Sequence, residues 1–231
     1  MSHLLHHHAL RAYVTAGIAW PALPWLTQFC ADSGLANRVS GPNLVPAANA
    51  PLLTQNVYGN RAAWRFDGTH PDYFNLTLSH SAPTHYLLAF VATIDETGNN
   101  GAGGNGAMLL GSTMPQALYW QFRISTRLID NYVQAQQVMA QLERSTPTVV
   151  VAYVDTAGKA KLLVNNQLYV GDTAQPVSAT THTYRIGDYA AGTDWELTGK
   201  LGAHAIAARA TGFTDAEALS VRDALKTYYS L

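Results

Sequence analysis

Beyond about residue 60 the chain is a succession of short apolar runs separated by turn-forming residues, the pattern of consecutive strands. Residues 62–66 (AAWRF) set Trp64 and Phe66 two apart, on one face. Residues 85–94 (HYLLAFVATI) form a longer, nearly continuous apolar run, which predicts a strand buried between two sheets. Residues 118–124 (LYWQFRI) place Leu118, Trp120, Phe122 and Ile124 against Tyr119, Gln121 and Arg123, a clear period of two. Residues 148–154 (TVVVAYV) and 161–164 (KLLV) flank Asp155-Thr156-Ala157-Gly158 and predict a hairpin. Further strands follow at 167–170, 183–186 and 200–208, the last alternating weakly through Leu201, Ala203, Ala205 and Ala207.

Three stretches break this rhythm. Residues 128–144 (LIDNYVQAQQVMAQLER) have the Gln, Ala, Met and Leu content of a helix yet lie between strands, so both helix and strand stay open. At the C-terminal end, Thr214-Asp215-Ala216-Glu217 fits a capping box. Ala218, Val221, Leu225 and Tyr228 follow as one apolar stripe at helical spacing, which predicts a short amphipathic helix lying on the sandwich. The first 30 residues are rich in apolar side chains but are interrupted by His6, His7, His8, Pro21 and Pro24. They read as a short helix or arm that docks on the sandwich or on a neighbouring subunit. No stretch there is long enough to span a bilayer, and the Met1 end lacks the cationic start of a secretory signal.

Composition adds a constraint on the exterior. The chain has 231 residues and is 48% hydrophobic, ample for one core at a length that β-sandwiches often reach as a single unit. Charged residues are only 13% of the chain, so its surface is built from Thr, Ser, Asn, Gln, Gly and Tyr. Such an exterior suits a protein packed against others, including copies of itself, or one that binds neutral ligands. A net charge of −1 without a basic cluster removes the electrostatic basis for nucleic-acid binding. Cys30 is the only cysteine, which rules out an intramolecular disulfide and a cysteine-based zinc site.

Candidate chemistry is sparse. Gly101, Gly103 and Gly106 satisfy G-x-G-x-x-G, but the residues that follow leave no room for the helix a dinucleotide site requires, so the segment reads as a loop. The three successive histidines lack converging partners for a metal site. Asp194 and Glu196 stand two apart and are candidates for a glycosidase acid pair, although the flanking Gly192-Thr193 and Thr198-Gly199 mark a turn and no third acid completes a set. Asn75-Leu76-Thr77 is a glycosylation sequon without a secretory context. No nucleophile elbow or P-loop is present, and no cofactor, metal or catalytic residue is assigned. Candidate sugar-stacking aromatics are Tyr58, Tyr73, Tyr119, Tyr189 and Trp195.

Three segments, in order, resemble the concanavalin A-like, laminin-G-like jelly-roll domains. They are Trp64-Arg65-Phe66-Asp67-Gly68 with Asp72-Tyr73-Phe74, then 149–155 with Lys161-Leu162-Leu163-Val164-Asn165-Asn166, then Tyr184-Arg185-Ile186-Gly187 with 197–201 and 213–217. Two departures stand out: Asn166 occupies a position where those domains carry Gly, and His204 one where they carry Glu. The resemblance covers roughly residues 40–231 and implies an all-β, antiparallel two-sheet jelly-roll sandwich with an N-terminal arm at 1–40. It also implies binding of sugars or proteins. Domains with such an ending and a Gly/Asn-rich middle loop look much like those of bacteriophage tail, fibre and capsid-surface proteins. The expected function is therefore a non-enzymatic virion surface component, a receptor-binding or decoration protein, joined to other virion proteins or to itself as a homo-oligomer. Residues 1–40 would be its anchor and a cell-surface glycan a further partner. A lectin-like, extracellular carbohydrate-binding module is the alternative, and a glycoside hydrolase ranks third.

Overall fold

The computed structural model describes residues 17–68, 71–80, 85–95, 107–110, 119–123, 128–133, 136–173, 180–188 and 196–231. Within them the strands are β1 (Trp25–Cys30), β2 (Val45–Pro46), β3 (Leu52–Tyr58), β4 (Arg61–Asp67), β5 (Phe74–His80), β6 (His85–Ile94), β7 (Ala107–Leu110) and β8 (Tyr119–Arg123). They continue with β9 (Leu128–Val133), β10 (Gln136–Gln141), β11 (Thr148–Val154), β12 (Lys159–Val164), β13 (Gln167–Thr173), β14 (Thr180–Ile186) and β15 (Thr198–Arg209), and helix α1 (Asp215–Tyr229) follows. One eight-stranded sheet runs β13-β12-β11-β6-β15-β4-β3, with β1 also paired to β15. The facing layer comprises β10-β9-β8-β7 and β14-β5-β2, which meet where β7 approaches β14. All of these ladders are antiparallel, so the fold is the two-sheet sandwich that the residue pattern implies.

The strands at 85–94 and 148–154 have the bounds read from their apolar runs, and the structure shows why those runs barely alternate. On β6, Tyr86, Leu88, Phe90, Ala92 and Ile94 face the core between the sheets. Leu87, Ala89 and Val91 face the opposite way, into a second core with Val221, Leu225 and Tyr229 of α1. Strand β6 is thus covered by a sheet on one side and a helix on the other, rather than by two sheets. Trp64 and Phe66 of β4 enter the inter-sheet core and meet Phe74 edge to face, at ring separations of 5.4 and 5.9 Å.

Two expectations change. The open segment at 128–144 contains two strands, β9 and β10, paired from Leu128↔Gln141 to Val133↔Gln136. Helix propensity gives way because β10 adds Val138 and Ala140 to the inter-sheet core at a spacing of two. The large sheet also begins before residue 40. Residues 25–30 are a strand rather than a docked helix or arm, paired with β15 from Trp25↔Ala207 to Cys30↔Ala203. Residues 1–16, including the three histidines, lie outside the described residues.

Strand β15 can serve β4, β1 and β6 because it is long and carries a bulge at Gly202, between Leu201 and Ala203. A Cβ at Gly202 would sit 2.9 Å from ring carbons of both Tyr58 and Tyr229, so only glycine permits this close approach.

Helix α1 is fixed by its first turn. Thr214 accepts from the Glu217 N–H (3.2 Å), and Glu217 accepts from the Thr214 N–H (2.7 Å), completing the capping box. Glu217 also takes a two-pronged donation from Arg209 (2.8 and 2.7 Å), whose guanidinium lies 4.3 Å over the Phe213 ring. Lys161 clamps the same end, bonding Asp155 (3.0 Å) and Asp215 (2.7 Å). The Arg209 bonds hold the Glu217 carboxyl down at about 2, below its free value of 4.5. A lowered carboxyl value stabilises the fold above the free value, and this contribution is lost as pH falls through 2. With the pair about a quarter exposed, Glu217→Gln is expected to cost about 1–2 kcal/mol at pH 7. The difference from the parent should shrink toward zero near pH 2 in denaturant titrations at several pH values.

Candidate functional site

Both cores are packed with apolar side chains, and two clefts lie at the edges of the large sheet. One cleft, of about 360 Å³, opens where the end of β10 meets the β12–β13 hairpin. The hairpin turn is held by Asn165, which takes a left-handed φ of 51° and exchanges bonds with Val149: its Oδ1 accepts from the Val149 N–H (3.0 Å) and its own N–H donates to the Val149 carbonyl (2.8 Å). The left-handed residue is therefore Asn165, not Asn166, where the jelly-roll domains have their glycine. Releasing Asn166 from that duty leaves its amide at the cleft, with Lys226 of α1 donating to it at 3.4 Å.

Tyr169 projects from β13 toward the inter-sheet core and is only half-buried, while its neighbours Leu168 and Val170 point outward. Gln141, Glu143, Asn166 and Gln167 ring the same cleft. An aromatic face surrounded by amides, with Glu143 as the only carboxylate lining the cleft among the described residues, has the chemistry of a site for neutral hydroxyl-bearing ligands.

A second cleft, of about 430 Å³, lies on the flank of the sandwich and is lined by Asn49, Ala50, Leu52, Arg65, Asp67 and Asp72. Asp72 is buried (4% exposed) and its Oδ2 accepts from the Asp67 N–H at 2.6 Å, while Oδ1 has no partner. Burial pushes its carboxyl up to about 7 against the pull of that N–H bond, and the Asp67 carboxylate adds to the rise.

Of the predicted aromatics, only Tyr58 and Tyr73 have side chains among the described residues. Tyr58 is 2% exposed and cannot offer a stacking face. Its ring packs edge to face on Tyr229 at 5.5 Å, and its hydroxyl donates to the Lys200 carbonyl and accepts from Thr93, both at 3.1 Å. Burial in this dry contact pushes its hydroxyl well above the usual phenol range. One ring face of Tyr73 is occupied by the Arg185 guanidinium at 4.3 Å. Tyr119 is on β8 opposite Tyr132, with its side chain outside the described residues; Tyr189 and Trp195 lie outside them altogether. Of the acid pair, Asp194 is outside the described residues and Glu196 is buried at 4% exposure. The glycine motif also lies outside them, but the segment after it is strand β7, not a helix. Among the described residues no group of three or more metal-ligating side chains converges, and no helix is long and apolar enough to cross a membrane.

No protein-family model and no curated protein matches the chain. Solved structures do. Domain 4 of AbnA, an extracellular arabinanase from Geobacillus stearothermophilus solved with arabinotriose, superposes with a TM-score of 0.61 at 11% identity, covering 87% of this chain and 98% of that one. The botulinum neurotoxin serotype G binding domain matches at 0.61 and 9% identity, over 88% of this chain and 51% of its own. Trypanosoma rangeli sialidase, solved with sialic acid, matches at 0.62 and 13% identity, over 90% and 34%. At these identities the likeness establishes the fold: an antiparallel jelly-roll-like β-sandwich, spanning nearly the whole arabinanase domain but only about half of the toxin domain and a third of the sialidase.

His204, standing where the jelly-roll domains have Glu, is no ligand-facing residue. It is opposite Phe29 on β1 and Phe90 on β6, both in the inter-sheet core, is 1% exposed, and neither ring nitrogen has a partner. Burial pushes its value down to about 3, so the folded protein holds it neutral. The unfolded chain binds that proton first, so the fold loses stability as pH falls from about 6.5 toward 3. His204→Leu is expected to raise stability by about 1–3 kcal/mol at pH 7, since a lone polar group leaves the core. By the same linkage the advantage should widen by about 2 kcal/mol at pH 5. Thermal melts at the two pH values check both; a destabilised variant would show that His204 has a partner after all.

Proposed function

We propose that this chain is a non-catalytic carbohydrate-binding module of the β-sandwich class, acting outside the cell or on a particle surface. The observation that carries the reading is the cleft at the β12–β13 hairpin, where half-buried Tyr169 is ringed by Gln141, Glu143, Asn166 and Gln167. Stacking on the ring would supply affinity, and the amides would bind hydroxyls. A glycosidase needs two carboxyl groups flanking the bond to be cleaved, whereas among the described residues this cleft has Glu143 alone. Support also comes from the structural neighbours, one solved with arabinotriose and another with sialic acid.

The finer reading is a bacteriophage virion component whose partners include sister subunits. It is favoured by where the exposed apolar side chains sit. Leu52 and Leu53 on β3, Val45 on β2, Leu168 and Val170 on β13 and Met139 on β10 are on strands at the ends of their sheets, where unpaired backbone invites a further chain, while Leu219 of α1 and Leu231 are exposed elsewhere.

A glycan array including arabinotriose should register binding to neutral oligosaccharides. Tyr169→Ala should weaken it at least tenfold, the equivalent of about 1.4 kcal/mol, with the melting curve retained. An array without hits removes the carbohydrate reading. For the assembly reading, sedimentation of the full chain is expected to give an oligomer at micromolar concentration, and a stable monomer would argue against it.

A further inference from the structure

One side of the sandwich ends in two strands that carry no charge. Strand β13 is the last strand of the large sheet, and β10, the last of the four-stranded sheet, stands beside it. Residues 134–142, which include β10, and residues 162–171, which include the β12–β13 turn, contain no Asp, Glu, Lys or Arg. Edge strands ordinarily carry a charge, a proline or a bulge that discourages pairing with another chain. Gln167-Leu168-Tyr169-Val170 has none of these and runs in unbroken register against Val164 to Lys161. Strand β3, at the opposite end of the sheet, is protected: Pro51 precedes it, Asn56 takes a left-handed φ of 54°, and its ladder with β4 is interrupted after Thr54.

The backbone of β13 is phased to take a further strand. The two-residue turn Asn165-Asn166 makes Val164 and Gln167 a hydrogen-bonded pair. By alternation Tyr169 also bonds β12, and the N–H and C=O groups of Leu168 and Val170 point to the open edge, with which no described strand pairs. The side chains of the same two residues are 41% and 59% exposed. They stand on the α1 side of the sheet, since Leu163, opposite Leu168, belongs to the core under that helix. Free backbone and exposed apolar surface thus coincide on Leu168 and Val170.

We infer that β13 pairs antiparallel with β13 of a second copy of this chain, about a dyad at Tyr169, joining the two large sheets edge to edge. About this axis each Leu168 is opposite the partner's Val170, giving an apolar pair on either side of the dyad, each exchanging both backbone bonds. On the other face Tyr169 meets the partner's Tyr169, so each Tyr169 cleft is bordered by a ring of the sister chain. The nearest charge, Asp172, falls opposite the partner's Asn166, and no like charges are opposed. Other axes fit less well. A dyad at Val170 sets Leu168 against the partner's Asp172, and one at Leu168 sets Val170 against the partner's turn residue Asn166. The order Leu-Tyr-Val makes the strand complementary to itself, which a two-fold dimer requires and a foreign strand does not. The contact belongs to the assembly proposed above and stands only if that assembly does.

Sedimentation of the full chain tests it with paired charge variants at these exposed positions, thermal melts confirming that each stays folded. The parent is expected to be a dimer at micromolar concentration. Leu168→Lys with Val170→Lys opposes lysine to lysine in both pairs and should raise the dissociation constant about tenfold or more. Leu168→Lys with Val170→Glu opposes each lysine to the partner's glutamate and should restore the dimer. A parent that is monomeric throughout removes the assembly and this contact together. An oligomer unmoved by the double-lysine variant leaves the assembly standing and overturns the β13 contact alone. A folded lysine–glutamate variant that stays monomeric overturns the dyad at Tyr169.

Discussion

The pairing of β6 with β15 is the constraint from which the rest of the architecture follows. These two strands run together from Gly199↔Ile94 to Arg209↔His85, and most residues on both faces of the ladder are apolar and buried. A sheet buried on both faces needs two covers. One is the second layer, which meets Phe90 and Ile206; the other is α1, which meets Leu87 and Ala207. The Arg209–Glu217 and Lys161–Asp215 pairs sit at the junction where the chain leaves the sheet to become that second cover. They therefore act on the angle of the helix more than on the strength of either core.

Because both faces of the sheet centre are consumed in packing, the polar chemistry is displaced to the ends. Both clefts lie at terminal strands, one at β13 and one beside β3 and β4. Their linings differ in charge. Tyr169 stands among amides, whereas exposed Arg65 and Asp67 stand beside buried Asp72.

How much of this was legible depends on whether a residue's partner is near in sequence. Strands β6 and β11 were readable from their own apolar runs, and α1 from Thr214, Glu217 and the stripe from Ala218 to Tyr228, because those signals are local. Strand β1 was not, because WLTQFC has no alternation and its pairing partner is some 180 residues away. Tyr58 was mistaken for a surface aromatic because nothing local reveals that Tyr229 will pack against it. Tyr169 went unnoticed although its signal was present: in Leu168-Tyr169-Val170 the aromatic must face opposite to both aliphatics, one turn from Asn165-Asn166. Asp72 sat inside the segment that carried the jelly-roll resemblance, yet the burial of its carboxyl is a three-dimensional fact. The Asp194–Glu196 pair shows the converse hazard, since spacing alone said nothing of the burial of Glu196.

The position of β15 in the chain has a consequence for how the molecule is made. It is an interior strand of the large sheet, joined to β6, β4 and β1, yet it follows all the other described strands in order of synthesis. Until residue 209 has emerged from the ribosome, β1, β3 and β4 have no strand to join them to β6, and β6 shows one edge and one apolar face to solvent. The nascent chain must therefore wait in a collapsed, incompletely paired state, and closure is dominated by contacts of long sequence separation, the regime of slow folding. Aggregation during that interval is the hazard, and scarce charge offers little protection against it. Closure of this sandwich thus waits on the pairing of β15, which joins β1 and β4 to β6.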